Sequence, residues 1–384
     1  MSACKLFMVG VKKMQESINK KQNNNLKQRY EWLDIIKAIC IITVVIFHIK
    51  YTSKISILND AWNYLDKISD LYKVTIFYCV AGITLNNKKL KETFKFLFHK
   101  FKKLYLKAII IGSMAVLLHN IFIKIGFYKI GISYSGKTMK SYNMTDYLIN
   151  IIKTFLLANR EVILGAFWFV YSLIICFILL SIIDLIINKL KFVKNKRVLR
   201  LIITFLLMFL SIFMTNVLNI NIPRFSNSLV GVFLLDFTNY LFENKKFEKS
   251  DLYLVFICII CILLAPFFGK ISMNTNTITN PFFLLIVVMA SLYLLIFLSK
   301  KMENKKIFNF LKYIGKNSFS IMAFQFIGFK VGGILLNVCG YKNDISVLVP
   351  IADNVAILLY YLLFGVSISL FINYVLKKFF KFEL

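Results

Sequence analysis

Leu33-Asp34-Ile35-Ile36-Lys37-Ala38-Ile39-Cys40-Ile41-Ile42-Thr43-Val44-Val45-Ile46-Phe47-His48-Ile49 is a nearly unbroken apolar run that contains three ionisable side chains. A run of this length reads as a membrane helix, and an ionisable group inside one is costly enough to be a functional-site hypothesis. Asp34 and Lys37 are three residues apart, on one helix face, where they can pair. His48 follows Lys37 by eleven residues, roughly 16 Å further along a helix axis at 1.5 Å per residue. Lys37 and His48 therefore lie toward opposite faces of a bilayer.

The rest of the chain repeats the apolar theme. It has 384 residues, 59% hydrophobic, with a mean hydropathy of +0.71 and four prolines. A soluble domain is closer to half apolar. Ten apolar spans stand out, at 33–49, 71–85, 104–123, 164–188, 199–220, 228–242, 252–268, 282–299, 318–338 and 354–376. Long unbroken runs exclude a transmembrane β-barrel, which needs alternation. The expected fold is all-α: a polytopic transmembrane helical bundle of about ten helices. Spans two and six are short for a bilayer and are expected to be broken or tilted. The organisation is a basic N-terminal tail (1–32), one membrane domain (33–376) and a short basic tail (377–384). No secretory signal peptide is expected, because the first 32 residues lack an apolar segment of the needed length.

The charge distribution supports this count. With a cytoplasmic N-terminus, the inner segments carry 31 Lys and Arg in 95 residues and the outer segments 12 in 96. That bias is the positive-inside pattern, and it places both termini in the cytoplasm. The net charge of +30 is spread over loops rather than gathered on one face. It therefore speaks for anionic lipid contact and against nucleic acid. Cys258 and Cys261 form a CxxC in mid-span, with no second pair of ligands at matching spacing, and read as small core residues. The abundance of Lys, Asn and Ile points to an AT-rich bacterial genome.

One well-placed histidine suits a general base that deprotonates a hydroxyl, or an interfacial histidine bonded to a backbone carbonyl. A metal site needs several ligands, which three histidines in separate segments do not supply. Asp34 and Lys37 are either an interfacial ion pair or a group facing cytoplasmic phosphates. The next inner loop adds Lys88, Lys89, Lys91, Lys95, Lys100, Lys102 and Lys103, a topology signal that could also hold an anionic donor. Asp236 and Lys330 lie mid-span, and are expected to pair or to line a polar cavity. Asp184 and Arg200 flank an inner loop and read as interfacial. Arg224, after Pro223, could hold an anionic acceptor or a lipid head group. Trp168, in Gly165-Ala166-Phe167-Trp168-Phe169, is either part of an aromatic belt or a sugar-stacking platform. The outer segment 124–163 is long and carries a mildly apolar stretch near Leu148 to Leu157 that reads as an interfacial helix.

Several of these pieces resemble the integral-membrane acyltransferase 3 family. Its first helix carries a Leu-Asp pair, an arginine, ten residues and a histidine; here Leu33-Asp34 and Lys37 to His48 take that pattern, with Lys for Arg. Thr75 to Gly82 is similar to the family's aromatic segment before Ser-Gly, with Ala81 in the Ser position. Phe167-Trp168-Phe169 resembles its Trp-Phe segment. Gly315-Lys316-Asn317-Ser318 is similar to the Gly-Lys-Asn-Ser that opens a late helix, whose Tyr-x-x-His is here Met322 and Gln325. The resemblance implies an O-acetyltransferase of a bacterial cell membrane acting on envelope polysaccharide or its lipid-linked precursor, with acyl-CoA, most often acetyl-CoA, as co-substrate and no bound cofactor. His48 would be the base, and Lys37, Asp34, Lys100 and Lys103 would face the donor. Trp168, Arg224, Asp236, Lys330, Ser318 and Gln325 would surround the acceptor. A flippase or a polymerase for a lipid-linked glycan is the alternative; the long outer loop with Arg160 and Glu161 would serve the polymerase.

Overall fold

The computed structural model describes residues 30–50, 59–85, 96, 104–134, 137–159, 161–243, 251–341 and 344–382. The architecture is helical. The apolar run around Lys37 is one helix, α1 (Glu31–Lys50). Span two is broken: α2 (Asn59–Tyr72) ends at Lys73-Val74, and only the nine-residue α3 (Thr75–Ile83) continues. The span at 104–123 also breaks, at Leu118, into α4 (Leu106–Leu117) and α5 (His119–Lys124).

The long outer segment has structure of its own. It forms a short hairpin of β1 (Ser133–Tyr134) and β2 (Lys137–Thr138), then α6 (Met144–Phe155). Helix α6 starts at a capping box, in which Asn143 accepts from the Asp146 amide and Asp146 accepts from the Asn143 amide. The Lys140 ammonium and the Asn143 amide hold the Asp146 carboxyl below the usual range. Met144, Leu148, Ile152 and Leu156 lie on its exposed side, as expected of an interfacial helix. A 3-10 turn (Val162–Phe167) leads into α7 (Trp168–Lys189).

Six helices follow. They are α8 (Lys196–Asn216), α9 (Phe225–Glu243), α10 (Leu252–Phe268), α11 (Pro281–Met302), α12 (Asn309–Lys316) and α13 (Ser318–Val338). A second small hairpin, β3 (Ile271–Ser272) with β4 (Thr277–Ile278), joins α10 to α11, and α14 (Val355–Phe380) closes the chain. Asn at the cap position begins α8, α11 and α14, each accepting from the amide three residues on, and Pro281 takes the first position of α11.

Six of the described helical segments are long and apolar enough to cross a membrane: Glu31–Lys50, Val162–Lys189, Lys196–Asn216, Pro281–Met302, Ser318–Val338 and Val355–Phe379. Leu106–Leu117 and Leu252–Phe268 are shorter apolar helices. The exposed faces of α8, α10 and α14 are apolar, with Phe209, Phe267 and Phe371 among them, as suits a bilayer solvent.

Helix α9 runs through the centre. It packs on α3, α7 and α8, and nearly all of its residues from Ser226 to Asn239 are buried. Its polar side chains are satisfied by neighbours: Thr238 donates to the Cys79 carbonyl at 3.1 Å, and Asn239 donates to the Gly82 and Leu85 carbonyls at 3.2 and 3.0 Å. These bonds hold the short α3 in place where its own length cannot. Helices α1, α13 and α14 pack together on another side, with α12 lying across α1.

Candidate active site

Two sets of motif residues meet at the start of α1. Asp34 is buried and its carboxylate pairs with Lys37 at 2.6 Å. Helix α12 crosses α1 at this level. A Cβ on Gly315 would collide with the Asp34 carbonyl oxygen, so only glycine permits the crossing. Glu31 and Lys312 form an ion pair across the same contact. The chain then turns at Asn317, whose side-chain oxygen accepts from the Asn373 amide at 2.7 Å, and α13 begins at Ser318, which is half-buried. Sequence segments 281 residues apart thus build one end of the site around a quarter-exposed Lys37. Lys100 and Lys103 lie outside the described residues.

His48 stands at the other end of α1 and is half-buried. Its ring packs on Phe326 of α13 at 4.9 Å between centroids and on Phe47 at 5.7 Å. Neither ring nitrogen has a hydrogen-bond partner among the described residues. Phe326 also meets Gly165: a Cβ there would lie 3.2 Å from the phenyl ring. Gly165 is exposed, and its lack of a side chain lets the backbone of the 3-10 turn come up close beside the aromatic ring. Phe167 of the same turn packs edge-on against Phe319 of α13 at 5.6 Å, and half-buried Trp168 opens α7. Gln325, next to Phe326, is fully buried, and neither atom of its amide has a partner among the described residues. The structure thus gathers His48, Phe326, Gly165 and Trp168 at one level of the bundle. It brings Lys37, Asp34 and Ser318 to another.

Five further residues singled out in the sequence sit elsewhere. Asp236 and Lys330 do not pair with each other, so the first of the two expected arrangements is not the one found. Asp236 is held by Arg197 and Arg200, the latter donating from Nε at 3.1 Å, and Arg200 also binds Asp184 at 3.0 Å. Asp184 and Arg200 are buried within this cluster, because α7, α8 and α9 converge there and bury all three charges together. Lys330 donates instead to the carbonyls of Phe127 at 2.9 Å, Ile345 at 2.6 Å and Val347. Loop carbonyls freed from regular structure satisfy it without a carboxylate. Arg224 donates to the Leu157 carbonyl at 2.6 Å and to the Asn159 carbonyl, and lies over the Tyr171 ring at 5.1 Å. It staples the outer segment to the start of α9.

Comparison with known proteins supplies the family. The family model described as "Acyltransferase domain", Acyl_transf_3, matches residues 30–378. The chain belongs to the acyltransferase 3 family. It is a membrane acyltransferase, and the Leu33-Asp34, Lys37-to-His48 and Gly315-to-Ser318 segments that suggested the family lie within the matched residues. No curated protein and no solved structure matches the chain.

The acyltransferase holds one polar group that sequence reasoning missed. His119, the first residue of α5, is fully buried. Its Nδ1 meets Glu161 Oε1 at 2.7 Å and its Nε2 meets the Lys140 carbonyl at 3.0 Å. Tyr142 stacks flat on the imidazole at 3.6 Å and donates to Glu161 Oε2 at 3.1 Å. The only trace in the sequence was a histidine near the end of an apolar span and a carboxylate 42 residues later, a spacing that predicts no contact.

Proposed function

We propose that this acyltransferase moves an acyl group, acetyl in the first instance, from cytoplasmic acyl-CoA to a hydroxyl of a cell-surface polysaccharide or its lipid-linked precursor in a bacterial plasma membrane. The observation that carries the reading is His48: a histidine within the matched family domain, packed on Phe326, with no protein hydrogen bond on either ring nitrogen among the described residues. A free nitrogen is what a base for an incoming hydroxyl requires. Bonded histidines such as His119 are already committed.

In this reading His48 accepts the proton of the acceptor hydroxyl as its oxygen attacks the thioester carbonyl carbon. The new C–O bond forms, the C–S bond breaks, and His48 returns the proton to the departing CoA thiolate. Lys37 supplies positive charge roughly 16 Å away along α1, at the level where the phosphates of the donor would lie, with Asp34 fixing its position and Lys100 and Lys103 adding charge on the cytoplasmic side. Phe326 and Trp168 offer aromatic faces to the sugar, and Gln325 an unpaired buried amide, which is costly unless a ligand meets it. Both termini are on the cytoplasmic side, and ten spans carry the fold across the bilayer.

The test is surface-glycan O-acyl content, read by NMR, in a strain lacking the protein and complemented with wild type or His48→Ala. Ester signals lost on deletion, restored by wild type and not by a well-expressed mutant support the reading. Unchanged ester content with shorter or scarcer glycan on deletion would instead support a polymerase or flippase.

A further inference from the structure

The transfer reaction as proposed uses neither His119 nor Glu161, yet both side chains are fully buried and joined at 2.7 Å. Burying a carboxylate and an imidazole is costly unless each is met by partners. Here each is met more than once. The Lys140 carbonyl can only accept, so His119 Nε2 carries a proton; one further proton lies between Nδ1 and Glu161 Oε1, and the Tyr142 hydroxyl caps Oε2.

The location of this pair matters more than its strength. Glu161 is the residue before the 3-10 turn, and its carbonyl accepts the first bond of that turn, from Leu164 at 3.0 Å. The turn is short and irregular: Leu164 leaves helical geometry within it, so it cannot hold its own position. Other polar contacts anchor the same stretch. The Ile163 amide donates to the Tyr128 hydroxyl at 2.9 Å, Arg224 holds the Leu157 and Asn159 carbonyls, and Asn159 donates to Thr154 at 2.8 Å. Four residues after Glu161 comes Gly165, against Phe326, which in turn packs on His48.

The geometry points to His119 and Glu161 as a positioning pair: they set the Gly165–Trp168 floor against Phe326 and so define the space from which the acceptor reaches His48. This rests on the proposed acyl transfer. Neither residue touches the reacting atoms. Removing the pair therefore lowers transfer without weakening the donor, and a neutral substitute that keeps the bridge preserves it. Glu161→Gln is such a substitute, since its amide N–H can donate to His119 Nδ1 while Nε2–H still donates to Lys140.

The test uses the full-length chain. Ester content per unit of glycan is compared in the deletion strain carrying wild type, His119→Ala, Glu161→Ala, the double alanine variant, Glu161→Gln, Tyr142→Phe or His48→Ala, at matched membrane levels. Acetyl-CoA binding is measured on the purified proteins. In a Trp32→Phe, Trp62→Phe background, acrylamide quenching of Trp168 reports where the floor lies. We expect each alanine variant and their combination to lose about tenfold to a hundredfold of transfer, since a misplacement of about 1 Å can cost that much. The losses should not add. Trp168 quenching should change, acetyl-CoA affinity should hold, and Glu161→Gln should retain most of the transfer. Alanine variants that transfer like wild type overturn the inference, as does a Glu161→Gln as damaged as Glu161→Ala. If the alanine variants do not accumulate, Tyr142→Phe decides: it removes one bond to Glu161 and keeps the stack, so it should shift both transfer and Trp168 quenching, and no change in either overturns the inference. Full transfer by His48→Ala would remove His48 as the base, and unchanged ester content in the deletion strain would overturn the acyl-transfer reading itself, each separately from the pair.

Discussion

At the scale of single residues, three histidines of similar prominence in the sequence have separate fates. His48 is bounded by aromatic rings and keeps both nitrogens unbonded among the described residues, whereas His119 has both nitrogens bonded. His99 lies outside the described residues. Hydrogen bonding, not position along an apolar run, separates the two that are described, and only the folded chain supplies the partners. His48→Ala is expected to abolish O-acyl transfer while the protein still inserts, measured by ester NMR at equal membrane levels. Lys37 was legible from its i, i+3 partner, and the Asp34 contact at 2.6 Å agrees. Lys37→Ala should weaken acetyl-CoA binding more than acceptor binding, and Lys37→Arg should keep much of the activity because the charge and the reach to Asp34 survive. Titration of purified variants with acetyl-CoA checks this; a Lys37→Ala protein with wild-type affinity would remove Lys37 from the donor site.

At the scale of elements, the helix crossing at Gly315 ties the Gly-Lys-Asn-Ser segment to the Leu-Asp pair. That meeting was not legible, because two motifs at opposite ends of a chain give no spacing to read. Gly315→Leu should force α12 off α1 and lower stability by about 1–3 kcal/mol, the usual cost of overpacking, visible as a reduced melting temperature in detergent. A variant as stable as wild type would mean that the two helices can separate without cost. The cluster of Asp184, Arg197, Arg200 and Asp236 binds α7, α8 and α9. Removing the central carboxylate leaves two arginines to share the remaining carboxylates of Asp184 and Glu243, so Asp236→Ala should cost roughly 3–5 kcal/mol. Thermal unfolding of the variant beside Lys330→Met would test two residues for which the sequence allowed a direct pair: their effects should add, having no shared partner.

At the scale of the whole molecule, the loop charges make a prediction that the helix lengths leave open. Both termini and the 303–306 turn should be cytoplasmic, and the β3–β4 hairpin external. In a background without native cysteines, Thr275→Cys should label with a membrane-impermeant maleimide in intact cells, and Lys305→Cys only after permeabilisation. The reverse pattern would invert the topology and move Lys37 to the wrong side for a cytoplasmic donor. Hydropathy and the long apolar runs were properties of the sequence by itself and determined a helical membrane protein, and the motif segments that resemble the acyltransferase 3 family pointed to its family, because each depends on residues near one another in the chain. Tertiary structure alone decided that Asp236 binds arginines while Lys330 binds carbonyls, that α12 crosses α1 at Gly315, and that His119 meets Glu161. A buried charge takes whatever partner the packing brings within reach. In a bundle with many polar side chains at similar depth, no local pattern specifies which one that is.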